Sequence, residues 1–523
     1  TATPIATGGM IPSGTDAVVM IEQAEISRNH GRVFQPATPG AGLSFAGSDM
    51  VRGQIVVPQG TRLTARETGT LAAIGITTLQ VYRRPRVAVF STGNEIVAPG
   101  EDLPTGYIYD SNLRILCDIL REIGCEPVDL GVVPDQLPDL RTRLNEGLQY
   151  DAVILSGGTS KGEGDHCVTA VREVAKVIAH GVAVKPGKPL CLAAAGKKPV
   201  VVLPGFPTSA VFTFHEFVVP VLLALAGGGL ETAATVRARS PLRIHKELGR
   251  TEFVLVSLLR TAQGLVAYPL GKGSGSVTTF AHADGFITLE RQQEFIEADE
   301  LVEVRLLGRD VRPADIVFIG SHCVGLDYLL SLMRRAGFTT KSIIVGSRGG
   351  ILAAHRGECD FAGVHLCDEQ GIYNHPFLPD GVTLVPGYGR MQGIVYRDEE
   401  PHLSTARMVN RNRGSGTRVL IDEILQRAQP PGFSFEVCSH HAVAAAIAQH
   451  RADWGVAIEP VVRHYGLKFR PLREEHYDFF MSEARGRGPA VQAFLDLLAS
   501  REARDGLAAL GFRPGSDGEA SQS

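Results

Sequence analysis

The chain has no run of about 20 apolar residues, the length a membrane-spanning helix needs; its longest uncharged apolar stretch covers residues 217–230. Neither sign of charge is in excess. With 52 Lys and Arg against 56 Asp and Glu, the formal net charge is −4, which gives neither nucleic acid nor an anionic membrane an electrostatic handle. The eight cysteines include no CxxC pair, and free thiols in a reducing cytoplasm are a simpler expectation than a disulfide framework in so long a chain. No fixed-period repeat and no signal-peptide pattern stands out, and because the chain opens on Thr1, a further upstream segment is expected. These exclusions leave a cytoplasmic protein whose partners are small molecules.

With 523 residues, 44% of them hydrophobic and 21% charged, the composition is that of a globular protein with several cores. Residues 1–84 read as β-rich, punctuated by Gly and Pro. The pattern changes at Arg86. Val87-Ala88-Val89-Phe90 is a buried strand, and a helix capped by Asp110-Ser111 follows with Leu113, Leu116, Leu120 and Ile123 on its apolar face. A strand over 128–133, a helix over 137–148, strands over 152–155 and 200–203 and a helix over 208–225 complete a doubly wound α/β pattern. Short alternating strands return up to residue 307. A second α/β pattern opens with a strand over 316–320, a helix over 326–336 and a strand over 342–345, and continues with a helix over 350–356 and a strand over 361–366. Each half carries its own core pattern, so the two are expected to fold independently across residues 307–313.

In the first α/β pattern the chemistry sits after strands, where such folds bind ligands. Gly157-Gly158-Thr159-Ser160-Lys161-Gly162-Glu163-Gly164-Asp165 is rich enough in glycine for backbone N–H groups to cradle a phosphate. Lys185-Pro186-Gly187-Lys188-Pro189 offers two ammonium groups on a backbone stiffened by proline. Leu203-Pro204-Gly205-Phe206-Pro207-Thr208-Ser209 ends a strand and opens a helix, placing hydroxyls and free N–H groups where anions bind. Ser91-Thr92-Gly93-Asn94-Glu95 and Tyr109-Asp110-Ser111-Asn112 add carboxylates suited to Mg²⁺, although a helix cap explains Asp110 and Ser111 equally well.

Taken in order, these loops resemble the molybdopterin molybdenumtransferase family, MoeA and the gephyrin E domain, over residues 1 to about 308. The resemblance implies a partial β-rich domain at 1–45, part of a dimerisation arm at 46–84, a MoeA/MogA-like molybdopterin-binding α/β domain at 85–232 and a β domain at 233–308. It also implies Mg²⁺-dependent insertion of molybdate into adenylylated molybdopterin with release of AMP, and a homodimer when the full amino end is present. By motif, Glu95 and Asp165 would hold Mg²⁺ and Asp49 would complete the catalytic set. Gly157, Gly158, Thr159, Ser160, Gly162, Lys185, Gly187, Pro204 and Gly205 would contact the cofactor; Lys188, Pro189 and Ser209 would border molybdate; Arg250 and Ser274 would reach in from the β domain. Leu43-Ser44-Phe45-Ala46-Gly47-Ser48-Asp49 keeps the family's aspartate without its Arg-rich lead-in, and Phe206 stands where Asn is frequent. A binding or regulatory protein without turnover is the alternative.

Residues 312–512 resemble the type 2 periplasmic-binding-protein fold through Gly320-Ser321-His322, Gly363-Val364-His365-Leu366 and the stretch 410–418, with a disordered tail expected at 513–523. Ser321, Ser347, Arg348, Ser415, Gly416 and Thr417 fall at strand ends and helix starts, an arrangement that favours a small anion. Molybdate or tungstate is the first candidate there.

Overall fold

The computed structural model describes residues 2–28, 30–157, 166–228, 234–271, 277–308, 313–413, 415–426 and 428–514. The chain divides into two compact units, Thr1–Arg84 with Leu223–Leu230, and Pro85–Leu222 with Glu231–Ser523.

The first unit has little core. It contains an antiparallel hairpin, Ala24–Ser27 with His30–Val33, and the helix Ala65–Ala73. The helix starts where it does because Thr64 and Glu67 form a reciprocal capping box. Leu71 is the only buried apolar side chain in this unit among the described residues.

The second unit opens with a six-stranded sheet in the order Glu126–Val133, Arg86–Thr92, Ala152–Ser156, Lys198–Leu203, Cys191–Ala195, Lys176–His180. The first four strands run parallel, and the last two are antiparallel additions. Helices cover both faces. On one face Leu116 and Leu120 of the Asn112–Glu122 helix pack with Phe214 and Val218; on the other, Leu140, Leu144, Val168 and Val171 form a separate core. The expected cap on the Asn112–Glu122 helix is shared unevenly. Ser111 occupies the cap position without a side-chain bond, and Asp110 Oδ1 accepts from Leu113 N at 3.1 Å. The segment Pro207–Leu225 is apolar and, at 19 residues, long enough by length and composition to cross a membrane, but half of it is packed inside this core.

Next comes a small barrel. Gly264–Pro269, Thr235–Arg239, Leu301–Leu306, Gly285–Leu289 and Thr251–Thr261 pair in that order, and Thr251–Thr261 pairs back onto Gly264–Pro269 to close the ring. A sixth short strand, Val184–Lys185, joins from the α/β domain, aligning Val184 with Thr251 and Lys185 with Glu252.

The C-terminal sheet has nine strands, and two 15-residue antiparallel strands, Val382–Tyr396 and Lys468–Ser482, form its centre. One lobe is built on Ile316–Gly320, Thr340–Ile344 and Phe361–Val364; the other on Met408–Arg411, Trp454–Ile458 and Glu436–Val437. The expected disordered tail starts too early, because Arg513–Pro514 pairs with Tyr388 and Gly389.

The two halves, expected to fold independently, share a hydrophobic core. Leu259, Val266 and Tyr268 of the barrel share one core with Val317, Ile319, Ile343 and Ala353 of the C-terminal sheet and its helix. Around that core Lys341 pairs with Asp284, Arg485 pairs with Asp360 and donates to Arg260 O, and Arg356 donates to Pro241 O at 2.9 Å. A linker of suitable length signals a boundary in sequence, but nothing local to it reveals that the flanking surfaces are apolar and matched.

Candidate active site

The carboxyl ends of the parallel strands Arg86–Thr92, Ala152–Ser156 and Lys198–Leu203 bring three loops together. At their centre is Gly157, with φ +125°; a Cβ there would lie 2.1 Å from Thr92 O, so only glycine fits. Its N–H donates to Leu203 O at 3.2 Å, and a Cβ on Gly205 would meet Gly157 Cα at 3.6 Å. Asn112 braces the same point. Its side-chain Nδ2 donates to Ser156 Oγ at 2.8 Å and to Gly205 O at 2.7 Å, tying two strand ends to the start of a helix.

The Lys185–Pro189 loop is pressed against this floor. Gly187 has φ +112°, and a Cβ there would come within 2.4 Å of Thr213 Cγ2 on the helix that begins at Pro207. Lys185 Nζ stands 3.6 Å from the carboxylate of Glu252, which is buried, and 3.7 Å from that of Glu247. Both partners come from the barrel. Strand pairing of Val184–Lys185 therefore sets the cation's position, and Arg250 directly precedes the pairing strand.

Several polar atoms on this floor are buried without a hydrogen-bond partner among the described residues: Ser91 Oγ, Thr92 Oγ1, Asp110 Oδ2 and Asn112 Oδ1. Leaving such groups dry costs about 1–3 kcal/mol each, and their concentration at one sheet edge suits a polar ligand. Thr208 and Ser209 are buried at the start of the Pro207 helix, Pro204 is buried behind them, and Pro189 is half-buried. Glu95, Lys188, Gly205 and Arg250 are exposed. Gly158, Thr159, Ser160, Gly162, Asp165 and Ser274 lie outside the described residues. Asp49 is exposed on a turn of the first unit. Among the described residues no group of three His, Cys, Asp or Glu side chains is placed to hold a metal. Mg²⁺ does not need such a group, since it typically takes one or two protein carboxylates with phosphate and water.

Sequence reasoning passed over Glu252 and Glu247. The only signal for Glu252 was a single acid opening the apolar run Phe253-Val254-Leu255-Val256.

The six residues proposed for the C-terminal ligand cleft separate into two groups. Ser321 and Ser347 are buried with their hydroxyls 2.9 Å apart, and Ser347 Oγ accepts from His365 N at 3.2 Å. Thr417 is buried beside Gln392, and a Cβ on Gly416 would lie 3.0 Å from His365 O. By contrast, Arg348 is exposed and Ser415 is occupied in capping its own helix, accepting from Arg418 N.

The arrangement has counterparts. Residues 1–75 match the model of the MoeA N-terminal region (domain I and II), 88–224 a probable molybdopterin binding domain, 237–307 the MoeA C-terminal region (domain IV) and 330–499 a PBP superfamily domain. A molybdopterin molybdenumtransferase of Haemophilus influenzae is 33% identical over 308 residues, covering 58% of this chain and 76% of the relative. One from a Nostoc species is 33% identical over 313 residues, covering 58% and 71%. The solved structure of a molybdopterin biosynthesis MoeA protein from Pyrococcus horikosii superposes with a TM-score of 0.50 at 38% identity, over 57% of this chain and 73% of that one.

Proposed function

The chain belongs to the MoeA family of molybdopterin molybdenumtransferases, and from that premise we propose that it inserts molybdate into adenylylated molybdopterin with release of AMP. The observation that carries the reading is the floor around Gly157, where three strand-end loops close to backbone contact and leave buried hydroxyls without partners among the described residues. A phosphate-bearing ligand supplies what that floor lacks: oxygens to accept from the Ser91 and Thr92 hydroxyls and from backbone N–H groups. Lys185, held between Glu247 and Glu252, and Lys188 place positive charge beside the anion, where it offsets charge that builds up as the phosphoanhydride to AMP breaks.

Mg²⁺ would be held by Glu95 and Asp165, and when bound it neutralises phosphate oxygens. Asp49 is proposed to complete the set from the first unit, within a homodimer working in the cytoplasm. The C-terminal domain is proposed to bind a small ligand.

Incubating the purified chain with adenylylated molybdopterin, and following AMP by chromatography, tests the proposal. Release should require molybdate, stop on chelation of Mg²⁺ and be lost in a Glu95→Ala/Asp165→Ala variant. Wild-type AMP release by that variant refutes the assignment.

A further inference from the structure

The C-terminal half buries a charge that its own residues leave unbalanced. Arg390 lies on the Val382–Tyr396 strand, fully buried, opposite Glu475 in register. Its Nε donates to Glu475 Oε1, while Nη1 and Nη2 have no hydrogen-bond partner among the described residues, and the guanidinium lies 5.1 Å from the centroid of the Tyr477 ring. A second guanidinium comes from the other lobe. Arg411 ends the Met408–Arg411 strand, stands 3.0 Å from His440 Nδ1 through Nη1, donates to Cys438 O through Nη2 and leaves Nε without a hydrogen-bond partner among the described residues. From the first lobe His365 places Nδ1 3.3 Å from Glu475 Oε2.

Five ionisable groups thus face one another, each no more than about 8% exposed. Burial, followed by the two guanidiniums, holds the His440 imidazole well below its usual range, and burial lowers His365 in spite of Glu475. Both rings are neutral near pH 7. Burial and then Arg390 pull Arg411 down to about 10, so it remains a cation. Glu475 is held down to about 2: burial opposes its charge, but Arg390 and then His365 outweigh that. Neighbouring Arg418 has its own carboxylates, Asp422 and Glu436. Two cations against one anion leave one positive charge without a counter-anion among the described residues.

One acceptor is stranded as well. Gln392 is buried two residues from Arg390; its Nε2 faces Thr417 Oγ1 at 3.4 Å, its side chain also bonds Glu475, and its Oε1 has no donor among the described residues. The Ser321 and Ser347 hydroxyls are bonded to each other, and Ser347 Oγ also accepts from His365 N.

We propose that this site binds a small oxyanion of single net charge that keeps a hydroxyl group. Its oxygens take the paired terminal nitrogens of Arg390, a fork suited to bidentate capture, and Arg411 Nε. Its hydroxyl donates to Gln392 Oε1. Molybdate, tungstate and sulfate are dianions without a proton to give at neutral pH. They would set oxygen lone pairs against Gln392 and overshoot the charge by one, so the site's chemistry turns away the anions that the helix starts alone suggested. Monobasic phosphate and an α-hydroxycarboxylate share the required chemistry.

Calorimetric titration of the full chain at pH 6.5 with inorganic phosphate, lactate, sulfate and molybdate distinguishes the sources. Each is repeated on Gln392→Glu, which installs a carboxylate in place of the missing anion at almost constant volume. Phosphate or lactate should bind at least tenfold tighter than sulfate, and Gln392→Glu should abolish that binding without lowering the melting temperature. Arg411→Gln should weaken binding at least tenfold. Heat from molybdate that persists in Gln392→Glu belongs to the transferase site, and AMP release on the same preparation tests that reading separately. No binding by phosphate or lactate, equal binding by sulfate, or binding that survives Gln392→Glu overturns the proposal.

Discussion

Shortening Leu259 to alanine should be felt in the far half of the molecule. Leu259 sits on the barrel strand Thr251–Thr261 and is almost fully buried, in a cluster that includes Ile319, Ala353 and Phe480 of the C-terminal sheet and its helix. Removing buried leucine methyls costs about 2–5 kcal/mol, depending on how far the site collapses. Leu259 borders residues of both halves, so part of that cost falls on the C-terminal half. The chain has a single tryptophan, Trp454, fully buried in the second lobe of that half. Its fluorescence during urea denaturation therefore reports the C-terminal half while the change is made in the barrel. With a denaturant slope of about 3 kcal/mol per molar, the full loss of about 2–5 kcal/mol would lower the Trp454 midpoint by about 0.7–1.7 M, so the part that falls on the C-terminal half should give a shift up to that size. A midpoint that stays in place while the barrel's own transition shifts would show the halves to be uncoupled and refute the shared core.

Three further outcomes follow from particular side chains. Burial pushes Glu358 up to about 7, partly opposed by Arg356 and assisted by Asp299. A carboxyl raised in the folded state contributes stability that is complete below its unfolded value of 4.5 and lost as pH rises through about 7, so the wild type should lose up to about 3 kcal/mol across that window. In Glu358→Gln, chemical denaturation at pH 5 and pH 8 should show a correspondingly smaller loss. Gly157→Ala should abolish AMP release while the Trp454 transition holds, because its Cβ would overlap Thr92 O. Asn112→Ala strands Ser156 Oγ and Gly205 O and should cost about 1–3 kcal/mol, with a fall in kcat that Asn112→Asp restores only in part.

Continuous apolar runs made the parallel strands legible. Val87-Ala88-Val89-Phe90 and Val200-Val201-Val202-Leu203 are buried on both faces, and a strand covered by helices on each side has no polar alternation to blur it. The edge strand Lys176–His180 and its inner neighbour Cys191–Ala195 escaped because the first alternates with exposed residues and the second is mostly alanine. The Val382–Tyr396 strand was hidden by Pro386, Gly387, Gly389 and Gly393, which read as turns. In the fold those glycines admit neighbouring atoms: a Cβ on Gly387 would lie 2.1 Å from Tyr477 O and one on Gly393 2.3 Å from Arg470 O. The glycine and lysine loops of the candidate active site were visible as motifs. The Arg390–Glu475 pair was not, because its members are 85 positions apart and only the register of two long strands unites them.

The strand Val184–Lys185 has a consequence for synthesis. Its partners, Thr251 and Glu252, leave the ribosome 67 residues later. At translation rates of roughly 5–20 residues per second, the cationic loop waits several seconds with the rest of its parallel sheet already made. During that interval the loop has neither the ladder that orients Lys185 nor the carboxylates that hold it. A nascent or truncated chain ending before Glu252 would carry the glycines of the candidate active site and still lack the anchored lysine. Gene fragments that stop at the apparent end of the α/β domain should therefore fold without assembling this part of the site.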